Sequence, residues 1–499
     1  MQTESFNYRS ILSTPTFAWI LTLFVIQFTI RIFASSRKKD ESNIPWAPGA
    51  IPILGHALKY RKNPPAFLLS SAKQVGDLFR INMSGKHMIV ACGPRTQRIV
   101  ASSPESIMSA REAIADIGFE ETLGYLNVYQ GTDLHKGIVK GLWHSNGDTQ
   151  VTGFIQAVRN SLTMESASSS TPKSGNKKVE FLSFVRRVIL RASIERFIGS
   201  SFLDGWDDFS FIEVFMKFQD DLEDVTAKAA VMPQIIASPL LLSPLKRRRL
   251  NLQKVISKRL QTICSIGDDT TASKQHRGFW LAEIKDSYHP DEIAELIIGL
   301  LFAAHKNPAI GTAQSYLMLC ELATPEQRKK CADEAKAILS NPNYEILQKS
   351  CPTLNRLCLE SLRLTAHSIG AVRTAKQSFS VGEKFTIPKG ATVALTHISS
   401  SLNTKYWNDP NAFDIDVESK NRSQELYDND YIFSVFSHGV HKCPGQKFAK
   451  VMLKLTVAIL LHEYKITLPE SIPPLCFERA TLAQRAGPVE VTISKNEEK

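Results

Sequence analysis

A chain of 499 residues with 43% hydrophobic and 22% charged side chains has an ordinary globular composition and is long enough to bury a large core, which excludes a disordered or collagen-like protein. Its 60 Lys and Arg against 49 Asp and Glu leave a formal net charge of +11, which calls for an anionic partner: nucleic acid, a membrane surface or an acidic protein. The eight cysteines are scattered, with no CxxC pair and no zinc-finger spacing, and read as reduced thiols of a cytosol-facing protein.

The stretch Ile11–Phe33 (ILSTPTFAWILTLFVIQFTIRIF) is about long enough to cross a bilayer as a helix. Arg31, Arg37, Lys38 and Lys39 end it, and only Arg9 precedes it, so the charge bias puts the C-terminal side in the cytosol. Residues 1–39 are therefore expected to be an uncleaved single-pass anchor with its basic stop. Residues 40–65, with Pro45, Pro48 and Pro52, are expected to be a stiff extended linker. Residues 66–499 are expected to form the folded body.

Along the body, Gly76–Gly93 alternates apolar and polar residues around Ser84-Gly85 and predicts a β-hairpin. Ser166–Lys178 is a polar low-complexity loop. Ala229–Pro244 is apolar, broken by three prolines and followed by Lys246, Arg247, Arg248 and Arg249. It reads either as a loop dipping into a membrane surface or as a buried helix pair with a solvated basic face. As a nucleic-acid patch the run is weak, because no aromatics are interleaved for base stacking. Glu292–Leu322 is a long apolar helix interrupted by His305-Lys306-Asn307-Pro308, where proline is expected to kink it. Pro352–His367 reads as another helix, and Ser380–Leu395 as short strands with a Pro-Lys-Gly turn.

The chemistry concentrates in Phe436-Ser-His-Gly-Val-His-Lys-Cys-Pro-Gly445. Cys443 lies just ahead of an apolar helical run, where free backbone N–H groups and the positive helix end favour a thiolate. Gly439 and Gly445 allow close backbone approach and unusual φ, and Phe436 is placed to pack on a flat ligand.

Phe-x-x-Gly-x-His-x-Cys-x-Gly resembles the haem-binding loop of cytochromes P450, of the membrane-bound eukaryotic or fungal type. Glu360-Ser-Leu-Arg363 matches that family's Glu-x-x-Arg helix, Arg373 stands at its usual propionate partner, and Asp409–Phe413 resembles the segment before its meander. The resemblance runs from the anchor to the C-terminus. It implies a mainly α fold, a large helical domain with a small β-rich one, carrying haem b with Cys443 as the axial thiolate. It also implies that Glu360 and Arg363 form a structural charge pair, and that Arg373 and His441 reach propionates.

Two positions depart from the family. Its usual Ala-Gly-x-Asp/Glu-Thr, where acid and threonine relay protons during dioxygen activation, aligns with Ala303-Ala304-His305-Lys306-Asn307. Ala304, Lys306 and Asn307 thus occupy the catalytic positions with lysine for the acid and asparagine for threonine. This pattern is similar to the steroid 7α- and 12α-hydroxylases and prostacyclin synthase. The family's Pro-Glu-Arg aligns with Ile415-Asp416-Val417, which lacks the arginine, and either Arg422 replaces it or the Glu360–Arg363 pair stands alone. Lys442, Lys447, Lys450 and Lys454 are expected to face an acidic reductase, the last three by helical spacing.

The resemblance implies an endoplasmic-reticulum haem-thiolate monooxygenase facing the cytosol. It would take NADPH-derived electrons from NADPH–cytochrome P450 reductase and oxidise an apolar small molecule, a steroid or terpenoid of specialised metabolism, with no nucleic-acid partner. The rivals are a reductase-independent isomerase or dehydratase acting on a peroxide, and a haem- or sterol-binding protein without turnover.

Overall fold

A computed structural model describes residues 42–124, 131–141, 147–167, 177–203, 208–229, 234–265, 287–479 and 481–496, with Thr22 and Met232. The expected anchor and basic stop lie outside these residues, apart from Thr22. Helices dominate, as expected: α1 (Pro64–Val75), α2 (Pro94–Ala101), α3 (Gly147–Ala167), α4 (Phe181–Phe197), α5 (Asp208–Ala229), α6 (Ser243–Ser265), α7 (Pro290–Leu322), α8 (Pro325–Ser340), α9 (Pro352–Leu364) and α10 (Gln446–Glu463). The 33-residue α7 threads the core and packs against α4, α6, α9 and α10. It starts in a capping box between His289 and Glu292, which satisfies backbone donors the helix leaves free. Among the described residues it alone is long and apolar enough to cross a membrane, and its burial marks it as the core helix.

The helix runs through Pro308 without a break. Proline has no N–H, so the carbonyl of Ala304, four residues earlier, loses its helical donor. The Ser193 hydroxyl of α4 approaches that carbonyl at 3.4 Å.

The β-rich part is a sheet of order β1-β2-β5-β4-β3, from β1 (Leu78–Met83), β2 (Lys86–Ala91), β3 (Met108–Ser109), β4 (Ala371–Ala375) and β5 (Thr392–Leu395). The hairpin expected around Ser84-Gly85 is β1–β2, with Leu78 opposite Ala91. Both turn residues have positive φ, 53° and 89°, the twist a two-residue hairpin turn requires. Ser380–Leu395 forms the expected short strands.

The proline-rich segment is not a free spacer. Trp46 pairs with Arg80 at the edge of β1, the Arg80 guanidinium lies 4.4 Å from the Trp46 ring, and Ile44 and Ala47 are buried. His56 is buried beneath it: Nδ1 accepts from Asn82 N–H at 2.9 Å, so Nε2 carries the proton and donates to Ala47 O at 2.8 Å. Nor is Ala229–Pro244 a loop over its described residues. Gln234–Ala237 is helical and Ser238–Leu242 a π-turn leading into α6, with Ala237 and Leu242 buried but Ile235 and Leu240 exposed. Of the basic run behind it, Arg249 is buried against Glu295 at 3.1 Å and Arg248 pairs with Asp221, leaving Lys246 and Arg247 in solvent. The described cysteines are unpaired thiols.

Glu360 on α9 sets the path of the chain into the Cys443 loop. Its carboxylate is fully buried and accepts from Arg363 Nε and Nη2, both at 2.7 Å, Arg422 Nε at 2.9 Å and Tyr427 Oη at 2.5 Å. The arginines spend their other N–H groups on carbonyls: Arg363 on Ser401, Pro410 and Ala412, Arg422 on Asn408, Asp409, Ala412 and Asn421. Both guanidiniums lie over the buried Trp407 ring. Arg422 is thus the third member that the missing meander arginine left open. Burial pushes the Glu360 carboxyl up, but Arg363, Arg422 and Tyr427 outweigh it and hold it below the ordinary value.

Removing one partner strands a buried charge, so Arg422→Ala is expected to cost about 3–5 kcal/mol in denaturant unfolding; a loss below about 1 kcal/mol would contradict the hub. Because the folded Glu360 value is depressed, its contribution is complete above the unfolded value of about 4.3 and is lost as pH falls through the lower folded one. Glu360→Gln should flatten that part of the acid-unfolding curve.

Candidate functional site

The Cys443 loop is closed by its own backbone: Cys443 N–H donates to Phe436 O at 2.8 Å. Gly439 has φ of 66°, and a Cβ there would lie 2.2 Å from Ala101 O, so a side chain is excluded on two counts. Gly445 differs from expectation. Its φ of −85° is ordinary, and an added Cβ would meet only the Cys443 sulfur, at 3.8 Å. Burial pushes the Cys443 thiol up, and the Gly445 backbone partly offsets this. A metal ion at the sulfur would reverse the balance, since coordination deprotonates a thiol.

A cavity of about 510 Å³ joins this loop to α7. Phe436, His441, Cys443 and Gly445 line one side; Ala303, Ala304 and Asn307 line another; Ile114, Leu123, Val139 and Phe302 add apolar wall. Lys136 and His367 also reach it, and no motif in the sequence points to either. Asn307 Oδ1 accepts from Leu482 N–H at 3.3 Å, which ties α7 to the C-terminal segment.

Lys306 does not share this cavity. It is buried with its ammonium 2.7 Å from Asp220 and 2.5 Å from Glu223, both on α5. Burial pushes both carboxyls up; Arg186, 2.9 Å from Asp220, and Lys306 more than offset it there, whereas at Glu223 burial prevails. His305 is buried beside them. Gln219 donates its amide N–H to Phe302 O, so its Oε1, 2.5 Å from His305 Nδ1, is the acceptor. Burial, with Arg186 adding to it, holds the His305 ring neutral. The residue aligned with the family's acid therefore pins α5 to α7 instead of lining the cavity. Successive side chains on a helix point about 100° apart, so Lys306 and Asn307 reach different neighbours.

The lysine face is also revised. Lys454 is buried and donates to Leu347 O at 3.0 Å, and Lys450 is half-buried over the Phe436 ring. Lys442 and Lys447 are the exposed pair, Lys442 being 2.7 Å from Asp430. His441 Nε2 lies 3.0 Å from Glu105, whose carboxylate also caps the helix at Ala110 and Arg111. Arg373 on β4 is buried, with Nη1 on Val372 O and Nη2 lacking a partner.

A thiol ahead of a helix, a roomy apolar cavity beside it and an orphaned buried guanidinium together fit an iron porphyrin with acidic side arms. The family model described as "Cytochrome P450" matches residues 45–493. The chain belongs to the cytochrome P450 family. That family uses haem b. The sterol 14-demethylase of Arabidopsis thaliana is 22% identical over 91% of this chain and 92% of its own length. The lanosterol 14-alpha demethylase erg11 of Schizosaccharomyces pombe is 24% identical over 98% and 99%. This P450 covers 58% of the length of a probable lanosterol 14-alpha demethylase of Acanthamoeba polyphaga mimivirus, at 20% identity.

Replacing Lys306 with Met leaves two partly exposed carboxylates without their shared cation. The expected loss is about 1–3 kcal/mol, discounted for the solvent that reaches Asp220, and thermal unfolding measures it. An unchanged midpoint would show that this cluster does not hold α5.

Proposed function

We propose that this P450 is a membrane-anchored monooxygenase in which Cys443 ligates the haem iron and the cavity beneath α7 holds an apolar steroid or terpenoid. The observation that carries the reading is the single cavity walled by both Cys443 and Ala303, Ala304 and Asn307. The haem would supply the oxidising power, its thiolate ligand favouring O–O cleavage. This chain's residues do the rest. Phe436 and Gly445 give the macrocycle a flat, unobstructed approach to the sulfur, and Arg373 and His441 offer nitrogen to its carboxylates. The apolar wall excludes water from the substrate. Asn307 gives donors and acceptors but carries no proton, so it orients a water that must do so.

The names of the sterol and lanosterol demethylase relatives support a sterol-like substrate, and NADPH–cytochrome P450 reductase is the electron donor of this reading. Exposed Lys442 and Lys447 beside the Cys443 loop supply the positive surface such an acidic partner favours. Exposed Ile51, Ile53, Leu54 and Leu58 near the N-terminus, and Ile235 and Leu240 before α6, suit a body resting on the endoplasmic-reticulum membrane on its cytosolic side. Asn307 in place of threonine favours a second reading, isomerisation of a peroxide without a reductase.

NADPH with reductase should turn over a sterol or terpenoid, whereas product from a hydroperoxide alone would favour the second reading. Asn307→Thr is expected to raise the fraction of NADPH electrons recovered in product, the direction that regaining a proton-transfer group gives. Unchanged coupling would make Asn307 purely structural.

A further inference from the structure

A row of buried histidines stands beside Arg373. Ring centroids are 5.8 Å apart between His367 and His397, and 6.0 Å apart between His397 and His438. His397 and His438 are buried, and His367 reaches the cavity. Gly370 makes room for the row, since a Cβ there would fall 2.0 Å from the His397 ring.

Gln97 fixes the tautomer of His438. Its amide nitrogen donates to Cys92 O at 2.9 Å and Thr396 O at 2.6 Å, so its Oε1 accepts from His438 Nε2 at 2.8 Å. The neutral ring then carries a bare lone pair at Nδ1, which is buried and has no partner. Neither nitrogen of His397 has a partner, although one must bear a hydrogen. Arg373 Nη2 is likewise buried and unmet. Such groups are costly to leave unsatisfied, and together they present two unmet N–H donors, on Arg373 and His397, and two bare lone pairs, on His397 and His438.

The neighbouring charges do not meet this need. Glu105 is taken by Ser109, Ala110, Arg111 and His441. Asp430, whose charge reaches His438, is held by Lys442. Tyr431 stacks on His438 at 4.7 Å, bonds to Ser102 and carries Arg98 over its ring. Burial holds His397 and His438 neutral, His438 being pushed down to about 4, and the Arg373 charge adds to the effect at both.

We propose that His397 and His438, with Arg373, form a buried receptor for a carboxylate of the haem, and that the two histidines take up one proton from solvent as that carboxylate enters. The carboxylate accepts from Arg373 Nη2 and from His397. Its charge outweighs the field of Arg373 at the rings, and the incoming proton fills the bare His438 Nδ1 and turns it into a donor. No bond between heavy atoms changes. The proposal rests on the haem-thiolate reading and adds a proton to haem binding.

The full chain loaded with haem is mixed with excess apomyoglobin, and haem transfer is timed between about pH 8 and about pH 6, where imidazole titrates. Loss of the iron thiolate also quickens release on acidification, but it acts alike in every variant and cancels in a ratio. The rate for His438→Gln or His397→Gln, divided by that of the wild type, is expected to rise as pH falls, toward about tenfold per pH unit for one linked proton. With haem dimethyl ester, which lacks the carboxylates, the rise should vanish. A ratio independent of pH in both variants, or a rise that persists with the ester, overturns the proposal. Thermal midpoints identify a variant that has lost its fold, and the other then decides. Absence of the thiolate-type band from the wild type with reduced iron and CO would instead overturn the reading beneath it.

Discussion

A carboxylate buried in a dry interior must be neutralised where it stands, and Glu360 is neutralised by Arg363, Arg422 and Tyr427. Arg363 from the same helix and Arg422 and Tyr427 from one later segment meet at one anion, so the chain from Asn408 to Tyr427 has little freedom in how it runs. The arginines pass the constraint on by donating to backbone carbonyls from Ser401 to Asn421. That irregular segment could not otherwise satisfy its polar backbone away from water. The chain then enters the Cys443 loop, whose position against α7 creates the cavity. The placing of that loop thus depends on an ion cluster that lies off the cavity.

The second constraint acts through α7. Pro308 frees the Ala304 carbonyl, Asn307 is tied to Leu482, and the buried Lys306 reaches the opposite way to α5. Neighbours on one helix turn therefore hold three different parts of the protein. The ammonium at 306 stands where relatives of the family usually carry an acid, and its partners on α5 supply the carboxylates. A positive charge held off the cavity leaves that cavity nearly apolar, which suits a lipid-soluble substrate.

The local features are legible without coordinates. The Cys443 loop and the Glu360–Arg363 pair are legible through their resemblance to a family's motifs, and the hairpin at Ser84-Gly85 and the helix through Pro308 through local residue pattern. Besides Gly445 and Lys306, two further expectations fail, for different reasons. Lys450 and Lys454 share a helical face with Lys447, but periodicity does not say which face is buried, and at Lys454 the body of the protein covers it. Prolines stiffen the segment 40–65, which suggests a spacer, yet stiffness does not prevent Trp46 and Ile44 from packing on the sheet. The hidden features are non-local. Arg422, 62 positions beyond Glu360, is only one of two alternatives in the sequence, whereas Asp220, 86 before Lys306, and Gln97, 341 before His438, give no sign at all. No window shows such pairs, and each residue alone is an ordinary polar side chain.

The central claim is that Cys443 is the iron's sulfur ligand. The difference spectrum of the reduced protein with CO tests it most directly, recorded for the wild type and Cys443→Ala side by side. A thiolate-type band in the wild type that disappears in Cys443→Ala, with the thermal midpoint of the variant still defined, is the expected result. A band that survives the substitution would mean that another residue holds the iron and that the cavity has been read from the wrong wall.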